Sequence, residues 1–182
     1  TFRSLKTGSF EKELELAQAN LSIDLAPGQI QALRLAYCEK IAVITGGPGT
    51  GKTTILRTLL RMVSRYSSRI MLAVPTGRAA KRMSEVCDFP ASTVHRLLEI
   101  DPETWEFNRN ADSPLKCDML ILDEASMLDA SMLHSVLDAL PLSASLVLVG
   151  DVDQLPSVAC GDVLNSTINS GVVPVARLTD IY

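Results

Sequence analysis

Short apolar runs alternate with segments of helical period along most of the 182 residues. The apolar runs predict strands at 41–45, 70–74, 119–122 and 146–149, with a weaker one at 172–178. The periodic segments predict helices at 27–39, 52–66, 77–86, 126–140 and 161–170. Strands that alternate with helices are typical of the α/β class, in which a mainly parallel sheet is flanked by helices.

The same pattern predicts the buried face of one helix and the nature of two further segments. In the helix at 126–140, Leu133, Val136, Leu137 and Leu140 recur at i, i+3, i+4 and i+7, so we expect that face to lie on the sheet. Residues 1–26 read as a short amphipathic helix and a connector that lead into a domain at 27–182. The polar segment 101–114 holds the only tryptophan and predicts an exposed loop or small hairpin.

The strand at 41–45 runs into Gly-Gly-Pro-Gly-Thr-Gly-Lys-Thr-Thr at 46–54, which we call the phosphate loop. Its glycines let the backbone curl so that successive N–H groups face a phosphate, and the following helix adds its positive end. Lys52 supplies an ammonium for the β- and γ-phosphates, and the Thr53 hydroxyl is placed to ligate Mg²⁺. The pattern therefore predicts a nucleotide triphosphate and Mg²⁺ as cofactors, the nucleotide being ATP if the resemblance described below holds, with candidate nucleotide contacts at Gly47, Pro48, Gly49, Thr50, Gly51, Lys52, Thr53 and Thr54. The alternative is a glycine-rich turn with a coincidental lysine, against which the flanking strand and helix argue.

Two carboxylates follow the strand at 119–122. Parallel sheets bind ligands at the carboxyl ends of their strands, where Asp123 could hold the Mg²⁺ shell and Glu124 could polarise an attacking water. Capping of the helix at 126–140 by this pair is the structural alternative.

A third polar segment follows the strand at 146–149. The Gln154 amide could report whether the γ-phosphate is present, because it donates and accepts hydrogen bonds without changing charge. A polar turn closed by Pro156 is the alternative.

Composition limits the partners. The chain is 47% hydrophobic and 21% charged with a net charge of −4, so any nucleic-acid contact must be local rather than due to overall basicity. The four cysteines form no C-x-x-C pair, and we expect reduced, buried thiols rather than a zinc site or disulfides. No apolar run approaches the ~20 residues that cross a bilayer, and no secretory signal is visible. We expect no membrane contact and a cytoplasmic location.

Five segments together resemble the first RecA-like motor domain of a superfamily 1 DNA helicase of the RecD-like group, related to the exonuclease V alpha subunit. They are GGPGTGKTT at 46–54, PTGRAAKRMSE at 75–85, STVHRLL at 92–98, LILDEASMLD at 120–129 and VGDVDQLPSV at 149–158. The resemblance implies a RecA-like P-loop NTPase fold and ATP-driven translocation on single-stranded DNA, 5′ to 3′, in DNA recombination and repair. It also implies that Gln29, just before the first strand, reads adenine, because its side-chain amide could bond both edges of the base.

The second and third of these segments contain a basic strip, which from chemistry alone is only rich in cations and hydroxyls. Its members are Thr76, Arg78, Lys81, Arg82, Thr93, His95 and Arg96. The resemblance implies that the strip tracks single-stranded DNA through phosphate contacts. Charged helix faces and a core histidine at His95 are the alternatives. His134 reads as a surface residue, and Arg57, Arg61 and Arg65 as one solvated face or an interdomain contact.

The family places an aromatic residue at the Tyr182 position beside the nucleotide, followed by an arginine that reaches the γ-phosphate and by a second RecA-like domain. Neither follows Tyr182 in this sequence. Loss of an arginine finger lowers turnover by ~10³–10⁵, so we expect weak ATP–Mg²⁺ binding, very slow hydrolysis and no unwinding. The resemblance also leaves open a parent that works inside a recombination or nuclease complex. A small-molecule kinase and a nucleotide-gated binding module remain the alternatives at this point.

Overall fold

A six-stranded, wholly parallel sheet forms the centre of the molecule. The computed structural model describes residues 9–67, 69–154 and 162–180. The strands are β1 (Ile41–Gly46), β2 (Ile70–Val74), β3 (Ala91–Thr93), β4 (Met119–Leu122), β5 (Ser145–Gly150) and β6 (Val175–Leu178). Their order is β3-β2-β4-β5-β1-β6, and every neighbouring pair is parallel. The predicted α/β class with a mainly parallel sheet is confirmed.

The strands read as unbroken apolar runs because both faces of the sheet are covered. In β4 all four side chains are fully buried. Met119 and Ile121 belong to a cluster on one face, whereas Leu120 and Leu122 belong to a cluster on the other. This alternation follows from the two-residue period of a strand and divides the apolar core into two layers.

Helices flank the sheet close to where the sequence predicts them. They are α1 (Phe10–Leu21), α2 (Pro27–Cys38), α3 (Lys52–Val63), α4 (Gly77–Cys87), α5 (Val94–Leu97), α6 (Ala130–Ala139) and α7 (Val163–Asn169). The start predicted for the last helix, Gly161, lies outside the described residues. The short pair β3 and α5 was not predicted, because a three-residue strand leaves no apolar run to recognise.

The single helix predicted at 126–140 is wrong. A 3₁₀ helix at Ala125–Met127 precedes α6, and the break falls where Asp129 caps α6 by accepting a hydrogen bond from the Met132 N–H at 2.7 Å. Val136 is fully buried on the expected face, but Leu137 is 45% exposed, so the predicted apolar face is narrower than its spacing suggested.

The predicted amphipathic helix near the N-terminus is α1, which packs on the flanking layer. The Phe10 ring meets the Tyr37 ring edge-on, with centroids 5.7 Å apart. The Glu13 carboxylate is nearly buried, accepts a hydrogen bond from the Tyr66 hydroxyl at 2.6 Å and pairs with Arg65 Nε at 3.1 Å. Arg65 is therefore not simply part of a solvated face. A boundary between a lead-in at 1–26 and a domain at 27–182 stays a prediction.

Three smaller expectations are also resolved. Ile100 and Phe107 form an antiparallel bridge, and Trp105 between them is 77% exposed. The predicted exposed loop or small hairpin is confirmed. Cys38, Cys87 and Cys117 are reduced cysteines, but Cys38 is exposed, so the expectation of buried thiols is wrong there. Cys160 lies outside the described residues. Among the described residues, no helix is long and apolar enough to cross a bilayer.

Candidate nucleotide site

Loops after three adjacent strands, β4, β5 and β1, meet at the carboxyl edge of the sheet and enclose one cleft of about 460 Å³. The cleft is lined by almost every nucleotide-site residue that the sequence predicts: Gln29, Gly47, Pro48, Gly49, Thr50, Gly51, Lys52, Thr53, Thr54, Asp123, Glu124 and Gln154. Tyr182 lies outside the described residues. Three segments that are far apart in sequence are thus brought together, as expected for ligand sites at this edge of a parallel sheet.

The phosphate loop curls tightly before α3 begins. Gly49 and Gly51 adopt the left-handed backbone region, with φ of 79° and 83°. The Thr50 hydroxyl donates to the Gly47 carbonyl at 2.8 Å and closes the curl from inside. A loop held in this way directs its main-chain N–H groups and the first turn of α3 toward the cleft, which is the arrangement that binds phosphate groups.

The Lys52 ammonium lies over the loop rather than against a carboxylate. It donates to the Gly47 carbonyl at 2.8 Å and also to the Gly46 carbonyl. Both acceptors are neutral and belong to the loop itself. Charge-assisted hydrogen bonds to a phosphate are stronger than bonds to neutral carbonyls, so the ammonium can exchange these partners for an anion without leaving its position.

Gln29 connects the start of α2 to the phosphate loop. Its amide oxygen accepts from the Ala26 N–H at 3.1 Å, and its amide nitrogen donates to the Thr50 carbonyl at 3.3 Å. A Cβ at Gly51 would lie 2.1 Å from that amide nitrogen, so the contact needs glycine there. One lone pair and one N–H of the amide remain for another partner. The reading of adenine by Gln29 stays a prediction.

Asp123 and Glu124 differ sharply in environment. Asp123 is 8% exposed, and its burial raises the pKa of its carboxyl to about 6. The hydrogen bond from the Glu124 N–H lowers this pKa, whereas the negative charge of Glu124 raises it. The positive charges of Lys52 and Arg82 lower the pKa of Asp123. Glu124 is half-buried, has a left-handed backbone with φ 55°, and makes no side-chain cap bond. The capping alternative is wrong, because Asp129 caps α6.

The donor set suits magnesium rather than a metal held entirely by protein. Thr53 and Asp123 line the same cleft, and no cluster of three or more histidine, cysteine or acidic side chains occurs within residues 9–67, 69–154 and 162–180. Mg²⁺ keeps several waters and is bound through one or two carboxylates together with phosphate oxygens. One hydroxyl and one buried carboxylate fit that pattern.

Gln154 lies at the rim on a turn that begins at β5. The Asp151 carboxylate is nearly buried and accepts from the Asp153 N–H at 3.0 Å, while the Gln154 N–H donates to the Asp151 carbonyl at 3.3 Å. The Gln154 side chain is exposed within the cleft lining. The turn-closing Pro156 lies outside the described residues, and the reading of the γ-phosphate by Gln154 stays a prediction.

Sequence reasoning missed one wall of the cleft. Ala79, Arg82, Met83 and Val86 of α4 line it, together with Ser126, Gly150 and Asp151. The four residues of α4 are spaced i, i+3, i+4 and i+7, which marks one helix face and could have identified this wall from the sequence. Arg82, which the sequence analysis grouped with the basic strip, also lines the nucleotide cleft.

The rest of the basic strip lies outside the cleft lining, around the ends of β2 and β3. The Thr76 and Thr93 hydroxyls cap α4 and α5, accepting from the Ala79 and Arg96 N–H groups at 3.3 and 3.2 Å. Arg78, Lys81 and Arg96 are exposed. Contact with single-stranded DNA by these residues stays a prediction.

The two histidines are both on the surface. His95 is exposed and tilts against the Phe107 ring at a centroid distance of 6.0 Å, so the core-histidine alternative is wrong. His134 is exposed as predicted.

Comparison with known proteins decides the family. A family model described as an AAA domain matches residues 29–160, which cover the phosphate loop, Asp123, Glu124 and Gln154. The chain belongs to the AAA domain family. It is 41% identical to the ATP-dependent RecD2 DNA helicase of Deinococcus radiodurans over 87% of its own length and 22% of that protein. It is 38% identical to the RecBCD enzyme subunit RecD of Mycolicibacterium smegmatis over 75% of its length and 29% of that subunit. The resemblance to RecD-like superfamily 1 helicases is confirmed.

Solved structures support the fold of this AAA domain. The Bacteroides Pif1 helicase in complex with ADP-AlF4 matches with a TM-score of 0.62 at 24% identity, over 88% of this chain and 43% of that one. The Pif1 helicase from Candida albicans matches with a TM-score of 0.65 at 22% identity, over 88% and 41%. The predicted RecA-like P-loop architecture is confirmed. The chain spans only 22% to 29% of the length of the two RecD relatives.

Proposed function

We propose that this chain is the ATP-binding motor domain of an ATP-dependent DNA helicase of the RecD-like group. The observation that carries the proposal is the convergence of the phosphate loop, Asp123, Glu124 and Gln154 on one cleft. A coincidental glycine-rich turn would not bring a buried carboxylate, a half-buried carboxylate and a glutamine amide to the same edge of the sheet. The names of the RecD2 and RecD relatives support a helicase rather than a kinase.

The nucleotide would be held by the main chain of the loop and by Lys52. In this reading Thr53 and Asp123 hold Mg²⁺, which supplies charge neutralisation at the β- and γ-phosphates. The half-buried carboxylate of Glu124, which makes no capping hydrogen bond, would orient the attacking water and take its proton. Gln154 bonds the γ-phosphate, so its position differs between the triphosphate and diphosphate states.

Single-stranded DNA would lie across the ends of β2 and β3, on the basic strip without Arg82. The exposed cations Arg78, Lys81 and Arg96 suit backbone phosphates, and the capping hydroxyls of Thr76 and Thr93 hold the two helix starts in place. His95 offers an exposed ring beside them. Such contacts position a strand without reading its sequence.

Translocation would need a second RecA-like domain that closes over the nucleotide and supplies arginines to it. We propose that the parent protein contains that domain, moves 5′ to 3′, and works in the cytoplasm in recombination and repair, alone or in a nuclease complex. The short fraction of the RecD relatives that this chain covers supports a longer parent. The 182 residues tested apart from such a domain should hydrolyse ATP very slowly.

The test uses the full-length parent and the chain side by side. In the parent, single-stranded DNA should stimulate ATP hydrolysis, and Lys52→Ala or Glu124→Gln should abolish it, by ~10²-fold or more for the carboxylate. Glu124→Gln should still bind ATP, whereas Lys52→Ala should not. Arg61→Ala, an exposed change at the far end of α3, is the control. Hydrolysis that DNA does not affect, or phosphate transfer to a metabolite, would refute the helicase reading.

A further inference from the structure

Helix α4 presents one face to the nucleotide cleft. Ala79, Arg82, Met83 and Val86 line the cleft from successive turns. Three of these four side chains are apolar, and Arg82 is the cation among them. Arg78 and Lys81, on the same helix, do not line it. Arg82 follows Arg78 by one helical turn, and of the three cations Arg78, Lys81 and Arg82 it is Arg82 that reaches the cleft lining.

The charge of Arg82 acts on the Asp123 carboxyl and lowers its pKa, but no direct contact to a carboxylate holds the guanidinium within the described ranges. Arg82 makes no ion pair or hydrogen bond there, and its side chain is exposed. Other arginines of the chain do pair with carboxylates: Arg34 with Glu11, Arg65 with Glu13, Arg69 with Asp118 and Arg109 with Glu99. A guanidinium at the wall of a phosphate-binding cleft, unpaired by protein, is available to an anionic ligand, and its planar fork matches phosphate oxygens.

The packing of the helices shows which part of a nucleotide lies nearest Arg82. Helix α2 packs on α3, and α3 packs on α4, so α3 lies between the other two. Gln29 of α2 and Arg82 of α4 thus line the same cleft from the two helices that pack on either part of α3. Strand β2, which leads into α4, neighbours β4, which ends at Asp123. A nucleotide whose base lies toward Gln29 would direct its terminal phosphate toward Asp123 and Arg82.

We propose that Arg82 binds the terminal phosphate of a nucleoside triphosphate and thereby makes this chain discriminate triphosphate from diphosphate. This inference rests on the proposed nucleotide site and adds a specificity residue supplied by the chain itself. It is separate from the arginine after Tyr182 that the family resemblance implies. The Arg82 guanidinium would donate to γ-phosphate oxygens, which a diphosphate does not offer.

The experiment measures the affinity of the 182-residue chain for two ligands. Mg²⁺ complexes of ADP and of a β,γ-imido ATP analogue are titrated calorimetrically into the wild type, Arg82→Ala, Arg82→Lys and the control Arg61→Ala. Arg61 is exposed on α3 and does not line the cleft, so Arg61→Ala removes one positive charge, as Arg82→Ala does, without changing the cleft. Melting temperatures and circular dichroism verify that each variant is folded.

We expect Arg82→Ala to weaken the triphosphate analogue about tenfold to hundredfold, the usual range for a hydrogen bond to a charged group, while ADP affinity changes less than about twofold. Arg82→Lys keeps the charge but loses the fork, so its loss should be smaller and equally selective. If Arg82→Ala does not fold, the selectivity of Arg82→Lys decides the question.

Three results would overturn the inference. Equal weakening of both nucleotides would mean that Arg82 supports the cleft as a whole, and unchanged affinities would make it a solvated side chain. A wild-type chain that binds neither nucleotide would reject the proposed site itself, and with it this inference. Selective loss of the triphosphate in the Arg82 variants, with Arg61→Ala at wild-type affinity for both ligands, supports it.

Discussion

Replacing Gly51 with alanine should disrupt the phosphate loop through two separate effects. Gly51 has φ 83°, a region that costs an L-residue about 1–2 kcal/mol. The new Cβ would also lie 2.1 Å from the Gln29 amide nitrogen, and that side chain must move away. Its two hydrogen bonds, to Thr50 and from Ala26, are worth about 1 kcal/mol each.

Alanine also restricts the unfolded chain, which offsets about 0.4–1 kcal/mol of this loss. The net loss of stability is about 2–3 kcal/mol, and a domain of this size should then melt roughly 4–12 °C lower. The assay is differential scanning fluorimetry, with urea unfolding for the free energy. Nucleotide binding should fall as well, because the displaced Gln29 side chain and the distorted loop share the cleft.

Gly28→Ala is the matched control. A Cβ at Gly28 meets nothing within 4 Å, so this change in the first turn of α2 should be neutral or raise stability by up to about 1 kcal/mol. In a Gln29→Ala background, Gly51→Ala should cost only the backbone part less the same offset from the unfolded chain, about 0–1.6 kcal/mol. A Gly51→Ala chain that melts with the wild type, or a cost unaffected by Gln29→Ala, would refute this account of the loop.

Two further predictions concern burial away from the cleft. Alkylation at pH 8 should label Cys38 and spare Cys87 and Cys117, because burial raises the pKa of each of these two thiols to about 11. The unfolded chain loses these protons at a lower pH than the folded chain does. The free energy of unfolding should therefore be undiminished below pH 9 and fall as the pH rises toward 11. Equal labelling of all three in peptide maps would contradict this. Glu13→Ala should lower stability in urea by about 1–3 kcal/mol, whereas exposed Glu15→Ala should change it by less than about 0.5; equal midpoints would refute the role of the buried carboxylate.

The central strands and the nucleotide residues could be predicted from sequence for a physical reason. Strands β1, β2 and β4 are buried on both faces, so each appears as an unbroken apolar run that ends where the polar chemistry begins. Because parallel strands share their carboxyl edge, residues placed after β1, β4 and β5 had to meet. That rule is enough to predict that the phosphate loop, Asp123, Glu124 and Gln154 lie close together.

Features that depend on tertiary packing could not be predicted in the same way. Strand β3 is three half-buried residues whose extended form depends on pairing with β2, so it has no signal of its own. His95 is exposed because it lies against Phe107 of a hairpin-like loop rather than in the core. Arg82 was grouped with its cationic neighbours by composition, whereas the phase of α4 against the cleft assigns it to the nucleotide side.

Binding of Mg²⁺ and a non-hydrolysable ATP analogue to the 182-residue chain, followed by amide hydrogen exchange, tests the central claim most directly. The account predicts one bound nucleotide per chain and slowed exchange at residues 46–54, with both effects lost in Lys52→Ala. Saturating binding without protection of the loop, or equal binding by Lys52→Ala, would contradict it.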